Sequence, residues 1–418
     1  MFKEVKHCLI CGNDKLVGVL DLGVQFLTGV FPKTKDTPVA RGPLQLVKCQ
    51  EGSTAKHCGL LQLKHIYNPG QLYGNLYGYR SGLNRSMVNH LHGIVKIILS
   101  KVAIKPEDLI IDVGSNDGTL LGAYPHRGLA LIGVDPLGEK MRKYYPAHIR
   151  LITDFFGGKV LKKHLGSRKA KVITSIAMFY DLESPLTFMR QIYELLADDG
   201  VWVFEQSYMP AMLAMNSYDT ICHEHLEYYR LKQIKWMTDL VGLKIINIEF
   251  NQANGGSFLV MAAKQSAHYP QAHSRINQIL KSEEASGLGT LKPYQAFRRR
   301  VFKHKKEFRA QIKKLNKSGK KVFGYGASTK GNVILQFCEF RQKDIPFIAE
   351  VNADKFGSYT PGTLIPIISE NAARAMKPDY FVVLPWHFRS NIIAREKSFL
   401  KNKGRLLFPL PKPEVVKS

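Results

Sequence analysis

Short apolar runs alternate with polar, helix-like stretches through the middle of the chain. The runs at 109–113, 130–135, 172–176 and 201–205 have the length and residue types of buried strands. Strands that alternate with helical segments are typical of a doubly wound α/β sheet. The pattern therefore predicts one such unit that begins near residue 109.

A second unit of the same type follows residue 265, where the composition becomes polar and helical. Its first strand leads into a glycine-rich loop at 324–331, and further strands are expected at 346–349 and 380–384. The first seventy residues are instead turn-rich and bear cysteines.

The predicted fold is α/β, with two Rossmann-like doubly wound domains and a small N-terminal domain. We expect the domains to span residues 1–70, 71–265 and 266–418.

The composition indicates which class of protein to expect. With 45% hydrophobic residues, the 418-residue chain can bury a substantial core. It has no run of eighteen apolar residues, so no membrane span is expected. Its N-terminus lacks the apolar stretch of a signal peptide. We therefore expect a cytoplasmic protein whose six cysteines are reduced or metal-bound.

The net charge of +26 favours anionic partners such as a phosphorylated metabolite, an anionic lipid or nucleic acid. The densest basic run, 298–314, carries Val301, Phe302, Phe308 and Ile312 at near-helical spacing. This spacing predicts an amphipathic helix with a basic outer face. Basic residues spread over a solvated surface explain the charge without a nucleic-acid partner.

The cysteines of the first domain suggest a metal site. Cys8 and Cys11 form a CxxCG knuckle, and Cys49 and Cys58 follow about forty residues later. Four thiolates can close a tetrahedral structural zinc site, which would stabilise a segment with little core of its own. The wide spacing of the second pair leaves His57 as an alternative ligand. Reduced thiols without metal are the alternative to the zinc site, which the knuckle and the small domain favour.

The first glycine loop has the character of a cofactor site. A strand that ends in Asp112 leads into Gly114-Ser-Asn-Asp-Gly118, and a helix is expected to begin at Thr119. The next strand ends in Asp135, where an acid can accept from ribose hydroxyls. Acids around the loop suit a cationic cofactor such as S-adenosylmethionine better than a pyrophosphate. The alternative is an ordinary βα turn.

The segment 218–229 concentrates histidines, acids and tyrosines. His223-Glu224-His225 is not HExxH, because position 227 is glutamate, so a zinc protease is not expected. A histidine base oriented by a neighbouring carboxylate fits the cluster. A metal pair and a pair of surface histidines are the alternatives.

Together these motifs resemble the sugar C-methyltransferases of deoxysugar biosynthesis over nearly the whole chain. The motifs that carry the resemblance are CxxCG…CGLxQL (8–63), YGYRSGxN (77–84), GSNDGTLL (114–121), YDTIxHEHxxYY (218–229), NGGS (254–257), FGYGASTKGN (323–332) and TPGTxIPI (360–367).

The resemblance implies a zinc-binding domain, an S-adenosylmethionine-dependent methyltransferase domain and a C-terminal domain that helps hold a nucleotide sugar. The expected reaction is methylation of a carbon next to the ketone of a nucleotide-linked 4-keto deoxysugar, with dTDP as the expected nucleotide. A base removes the proton on that carbon, and the enolate attacks the methyl group. No membrane, nucleic-acid or protein partner is expected.

The resemblance also assigns residues. It makes His225 the base, Glu224 its orienting or hydrogen-bonding partner, and Tyr79 a residue near the substrate. The expected cofactor contacts are Asp112, Gly114, Asn116, Asp117 and Asp135, the expected nucleotide-sugar contacts are Tyr325, Lys330 and Asn332, and the expected zinc ligands are Cys8, Cys11, Cys49 and Cys58.

Three features depart from the family pattern. Cys222 stands where the family commonly has tyrosine, and Asp181 where it often has histidine. The third departure is the stretched spacing between Cys49 and Cys58. The first two indicate altered substrate handling with the reaction type kept.

The alternatives are an O- or N-methyltransferase with the same cofactor, and a zinc-bearing nucleic-acid-binding protein.

Overall fold

The computed structural model describes residues 2–51, 57–72, 79–125 and 128–417. The elements of the N-terminal part are β1 Phe2–Glu4, β2 Leu16–Phe26, β3 Arg41–Cys49, β4 Leu61–Leu63, β5 His65–Tyr67 and α1 Pro69–Leu72.

The middle of the chain alternates between strands and helices, as its pattern predicts. Its elements are α2 Arg85–Lys101, β6 Leu109–Val113, β7 Ala130–Val134, α3 Gly138–Met141, β8 Ile149–Ile152, α4 Gly158–Leu165, β9 Ala170–Ile176, α5 Pro185–Leu195, β10 Leu196–Ser207, α6 Met209–Ala214, β11 Glu227–Tyr228, α7 Leu231–Leu240, β12 Leu243–Asn251 and β13 Ser257–Lys264.

Two long helices precede a second alternating series. The elements here are α8 His273–Ala285, α9 Lys292–Lys317, β14 Val322–Tyr325, α10 Thr329–Phe337, β15 Ile348–Glu350, β16 Ile367–Ser369, α11 Glu370–Ala375, β17 Tyr380–Val383, α12 Arg389–Arg395, α13 Lys397–Lys401, β18 Arg405–Phe408 and β19 Glu414–Val416.

The central sheet joins seven of the described strands in the order β12-β13-β10-β9-β6-β7-β8. The strands from β10 to β8 run parallel, and β13 is antiparallel to both of its neighbours. Every residue of β6 is buried, because helices cover both faces of the sheet. The loops after β6, β7, β9 and β10 meet at one edge, which is where α/β sheets bind ligands.

The C-terminal sheet has the order β16-β15-β14-β17-β18-β19 among the described strands. Its pairs are parallel except for the last, between β18 and β19. The strand order reverses direction beside β14, and the second glycine loop follows that strand. The two doubly wound units predicted from the sequence are thus confirmed. The domain boundaries at residues 70 and 265 stay predictions.

The N-terminal sheet has the order β11-β4-β3-β2. Its edge strand β11 comes from the middle of the chain, and Glu227 pairs with Gln62 of β4. A single buried cluster joins Leu46 of β3, Tyr218, Phe297 of α9 and Val333 of α10. The N-terminal sheet, the segment around residue 220 and the C-terminal unit therefore share one core.

Two expectations about helices need correction. The chain after the first glycine loop forms a 3-10 helix at Leu121–Ala123 rather than a helix beginning at Thr119. Pro125 explains this, because proline cannot continue a helix and restricts the residue before it. In α9 the buried face includes His304 with Val301, Phe308 and Ile312, whereas Phe302 is 43% exposed.

Within the described residues, no helix is both long enough and apolar enough to cross a membrane.

Candidate active site

The first glycine loop closes tightly against neighbouring strands. Gly114 and Gly118 have φ of 71° and 75°, a conformation that side chains other than glycine rarely adopt. A Cβ at Gly114 would lie 3.2 Å from Cγ of Met178. The amide of Gly114 donates to the carbonyl of Val134 at 2.8 Å, which holds the loop against the end of β7.

The acidic side chains at this loop are buried, and they accept hydrogen bonds from neighbouring groups. Both carboxylate oxygens of Asp135 accept backbone N–H groups, from Asn116 at 2.8 Å and Leu137 at 2.7 Å. Asp112 accepts from the Thr174 hydroxyl at 2.6 Å, and burial raises its pKa to about 7. Burial also raises the pKa of Asp135. A bound cation would stabilise the ionised forms of both groups.

The side chains of Asn116 and Asp117 hold the segment that precedes α2. Asn116 accepts from the amide of Ser81 at 2.9 Å, and Asp117 accepts from the amide of Gly82 at 2.8 Å. Asn116 also donates to the carbonyl of Tyr79 at 3.4 Å. The structure thus brings Tyr79, whose side chain is 45% exposed, beside the cofactor loop. Tyr77 and Gly78 of the same motif lie outside the described residues.

His225 is partly buried, and a hydrogen bond fixes one of its two ring nitrogens. Its Nδ1 is 2.7 Å from the carbonyl oxygen of Thr220, which can only accept, so Nδ1 carries the proton and Nε2 keeps the lone pair. Burial, followed by the positive charge of Lys330, lowers the pKa of His225 to about 3. The imidazole is therefore neutral at physiological pH and can act as a base.

The two neighbours of His225 face the N-terminal part of the chain. Glu224 accepts from the Thr28 hydroxyl at 3.4 Å, and burial raises its pKa. The ring of His223 contacts that of Tyr67 edge to face at 4.6 Å, and burial lowers its pKa to about 4. His223 is thus a buried neutral residue in an aromatic contact.

Lys330 of the second glycine loop reaches the same region from α10. Its Nζ donates to the carbonyl of Asn254 at 2.9 Å, in the NGGS turn. Burial lowers the pKa of Lys330, and the charge of Asp219 opposes that shift. Asp219 in turn accepts from the indole N–H of Trp386 at 2.7 Å. Groups from the central and C-terminal units therefore converge around His225.

The other two residues assigned to the nucleotide sugar already have partners. The Tyr325 hydroxyl donates to Glu396 at 2.8 Å, within the C-terminal unit. The amide of Asn332 donates to the carbonyl of Thr28 at 2.7 Å, and its carbonyl oxygen has no partner among the described groups. Their contact with substrate stays a prediction.

The four cysteines of the N-terminal part come together. Their sulfur atoms all lie within 4.8 Å of one another, with Cys8 and Cys58 at 3.4 Å and Cys11 and Cys49 at 3.6 Å. A zinc–sulfur distance of about 2.3 Å in a tetrahedron separates sulfurs by roughly 3.8 Å, so the donor set and its size fit zinc. Cys49 rather than His57 completes the cluster found among the described residues.

Some residues of the site carried no recognisable sequence signal. Trp386 and His387 lie in no glycine loop or acidic motif, yet both face Lys330 or Asp219. Glu227 lies inside the segment 218–229 but no sequence motif assigns it a role, although it is buried and lines a cavity with His225.

Family models match almost the whole chain in three consecutive pieces. A domain described as zinc binding matches residues 8–73, a methyltransferase domain matches 90–248, and a C-methyltransferase C-terminal domain matches 252–411. The C-methyltransferase NovU of Streptomyces niveus is 28% identical over 99% of this chain and 97% of its own length.

The chain belongs to the C-methyltransferase family.

Solved methyltransferase structures align with less than half of this C-methyltransferase family member. The CcbJ methyltransferase of Streptomyces caelestis has 14% identity and a TM-score of 0.33, covering 42% of this chain and 89% of its own. The 1,6-didemethyltoxoflavin-N1-methyltransferase of Burkholderia thailandensis has 10% identity and a TM-score of 0.33, covering 44% and 80%. The protein is thus a methyltransferase by its family, and its substrate must be argued from its own residues.

Proposed function

We propose that this enzyme transfers a methyl group from S-adenosylmethionine to a carbon next to the ketone of a nucleotide-linked 4-keto deoxysugar, with dTDP as the expected nucleotide. The observation that carries the proposal is the neutral His225, fixed at Nδ1 by Thr220, where the central unit meets Lys330 of the C-terminal unit. The match to a named C-methyltransferase supports it.

The glycine loop after β6 is the proposed cofactor site. Gly114 lets the backbone approach a ligand, and Asp112 and Asp135 supply negative charge around it. S-adenosylmethionine, when bound, supplies a methyl group activated by a sulfonium. The acids suit that positive charge, and Asp135 at the end of β7 is placed to accept from ribose hydroxyls. Asn116 and Asp117 would contact the cofactor while they hold the Tyr79 segment.

The C-terminal unit is the proposed nucleotide-sugar site. The loop from Gly324 to Lys330 offers backbone amides and a cation for a diphosphate. Its Lys330 lies close enough to depress the pKa of His225, so a sugar attached to that diphosphate would reach the base.

Deprotonation at carbon is the step for which His225 is suited. Its Nε2 takes the proton, and Thr220 stabilises the imidazolium through Nδ1. Glu224 is placed by Thr28 to orient or polarise this segment. The cysteine cluster would hold zinc in a structural role.

The test uses donor-free deuterium exchange, because only methylation at carbon requires a carbon proton to leave. Wild-type protein in D₂O with a nucleotide-linked 4-keto deoxysugar should lose the proton signal next to the ketone, followed by NMR. His225→Ala should exchange about 10²–10⁴-fold more slowly while still binding S-adenosylhomocysteine in calorimetry.

His223→Gln is the matched control and should keep exchange, since the His223 ring is fully buried against Tyr67 and does not line the cavity that His225 lines. Exchange at the wild-type rate in His225→Ala would move the base role to another residue. Methylation at oxygen or nitrogen without any deuterium exchange at carbon would show that the enzyme does not carry out the proposed C-methylation.

A further inference from the structure

Glu227 is a buried acid without a hydrogen-bond partner. It lies on β11 with 2% of its surface exposed. Neither of its carboxyl oxygens has a partner among the described residues. Nearly all buried polar groups in proteins are hydrogen-bonded, and an unsatisfied one costs stability. A ligand that supplies the missing hydrogen bond would account for the retention of this acid.

Glu227 and His225 line the same small cavity. The cavity is about 10 Å³, and the other polar residues that line it are Tyr180, Ser207, Thr220 and Tyr228. A volume of that order holds about one oxygen-sized group, such as a water molecule or a single substrate oxygen. The hydroxyl of Ser207 is without a partner in the part of the chain described. A base and an acid thus line one small cavity.

Two residues that depart from the family pattern interact with the groups around Glu227. Cys222 and Asp181 stand where a tyrosine and a histidine are common. Burial, followed by the negative charges of Glu224 and Asp181, raises the pKa of the Cys222 thiol. Burial, followed by the charge of Asp181, also raises the pKa of Glu227.

Burial holds the Glu227 carboxyl in its protonated form. It raises the pKa of Glu227 well above its usual range, and the charges of Asp181 and Glu183 add to the effect. The ring groups that face the same region, Tyr228 and Tyr229, also have raised pKa values because of burial. A protonated carboxyl has one O–H to donate.

We propose that Glu227 is a second catalytic residue of this enzyme, which donates a hydrogen bond from its protonated carboxyl to the substrate ketone oxygen. The proposal rests on the proposed function. The C–H bond next to the ketone breaks, its proton moves to Nε2 of His225, and the electron pair moves through the new C=C bond onto the ketone oxygen. Glu227 keeps its proton and stabilises the charge on that oxygen. S-adenosylmethionine, when bound, would supply the methyl group and S-adenosylhomocysteine would be the leaving group. The C=O bond returns as the new C–C bond forms, while Glu227 keeps its hydrogen bond to the oxygen.

Two substitutions separate this role from a structural one. In the full-length protein, Glu227→Leu removes the donor and keeps the approximate volume, and Glu227→Gln keeps a donor through its amide. Loss of one such donor typically lowers kcat by about 10²–10³-fold. We expect that loss in Glu227→Leu, with an equal loss of donor-free deuterium exchange, and kcat within about tenfold of wild type in Glu227→Gln.

Stability supplies the second readout. Removing an unpartnered buried carboxyl should leave the Tm of Glu227→Leu equal to or above that of wild type, so its loss of kcat cannot come from unfolding. If Glu227→Leu fails to fold, Glu227→Met repeats the comparison with a flexible side chain.

Wild-type kcat and exchange in the apolar variants would overturn the proposal, and so would equal losses in the glutamine and leucine variants. A wild-type protein that neither exchanges nor methylates the keto sugar would overturn the proposed function itself.

Discussion

The charge state of His225 depends on a residue from another domain. Burial penalises its imidazolium, and the ammonium of Lys330 penalises it further, which together lower its pKa to about 3. A base with a lowered pKa is unprotonated over the whole neutral range, so it needs no activation by pH. The low pKa also makes His225 a weak base. A hydrogen-bond donor that stabilises the enolate would offset this weakness.

Replacing Lys330 by methionine should shift the acid limb of the pH profile. Without the ammonium, the pKa of His225 rises toward its ordinary value of 6.5, limited by burial. The base is active when unprotonated, so activity in Lys330→Met should fall at a higher pH than in wild type. The measurement is the position of the acid limb of kcat/KM, which reports the free enzyme.

Lys330→Arg is the control for this prediction, because it keeps the charge and should keep the limb in place. If the acid limb of the kcat/KM profile does not move in Lys330→Met, the charges of Lys330 and His225 are not coupled. A change in KM would not alter this conclusion.

At the scale of elements, the short strand β11 connects the catalytic segment to the cysteine cluster. Glu227 and Tyr228 pair with β4, and the amide of Leu63 donates to the carbonyl of Leu226 at 2.8 Å. The side chain of Gln233 donates to the carbonyl of Cys58 at 2.7 Å. The position of His225 therefore depends on the N-terminal sheet.

Loss of the metal should accordingly reduce activity as well as stability. We expect about one zinc per purified chain, and Cys11→Ser should lower the zinc content, the Tm and kcat together. At roughly 2–4 °C per kcal/mol, the shift in Tm should be readily measured by calorimetry. Cys338→Ser, a buried cysteine outside the cluster, should keep its zinc. Absence of zinc from reduced, unchelated wild-type protein would refute the assignment.

Local patterns predicted some of these elements well, and others poorly. The strand at 109–113 matches β6, because a run of buried apolar residues bounded by polar ones has few alternative conformations. The strand predicted at 201–205 begins earlier, at Leu196, because Leu196 pairs with Ala170 of β9 before a register shift. The helix expected at Thr119 is wrong, because Pro125 cannot continue it.

The residues of the candidate site likewise divide into those that local sequence patterns predict and those that they do not. The position of Asp135 at the end of β7 and the clustering of the four cysteines agree with the sequence, whereas their contacts with cofactor and zinc stay predictions. The pairing of Glu227 with Gln62 and the bond between Trp386 and Asp219, 167 residues apart in sequence, were not predictable. Such contacts depend on how separate sheets pack, which no local pattern encodes.

At the scale of the whole molecule, the active site lies where its parts meet. Tyr218, Phe297 and Val333 belong to one buried cluster with the N-terminal sheet. Gly255 of the NGGS turn approaches Trp386 so closely that a Cβ would lie 3.3 Å from its ring. The proposed substrate binding in the C-terminal unit and the proposed deprotonation in the central unit would therefore require that these units stay docked.

The hydrogen bond between Trp386 and Asp219 joins the C-terminal and central units. Its loss should weaken the docking of these units without weakening cofactor binding. Asp219 is fully buried, its other oxygen has no partner among the described groups, and burial raises its pKa. Trp386→Phe keeps the apolar packing and removes the N–H, so the carboxyl loses its donor. A loss of about 1–3 kcal/mol in the free energy of unfolding is expected from leaving a buried acceptor unpaired.

The kinetic consequence should be specific to the sugar. In Trp386→Phe, kcat/KM for the nucleotide sugar should fall, while calorimetric affinity for S-adenosylhomocysteine stays near that of wild type, because the glycine loop after β6 does not contact Trp386. A double-mutant cycle with Asp219→Ala, which removes the acceptor, isolates the pair: once Trp386 is phenylalanine, the second substitution should cost much less than it does alone. Additive costs, or an equal loss of cofactor affinity, would mean that this bond stabilises the fold as a whole and does not couple the two binding units.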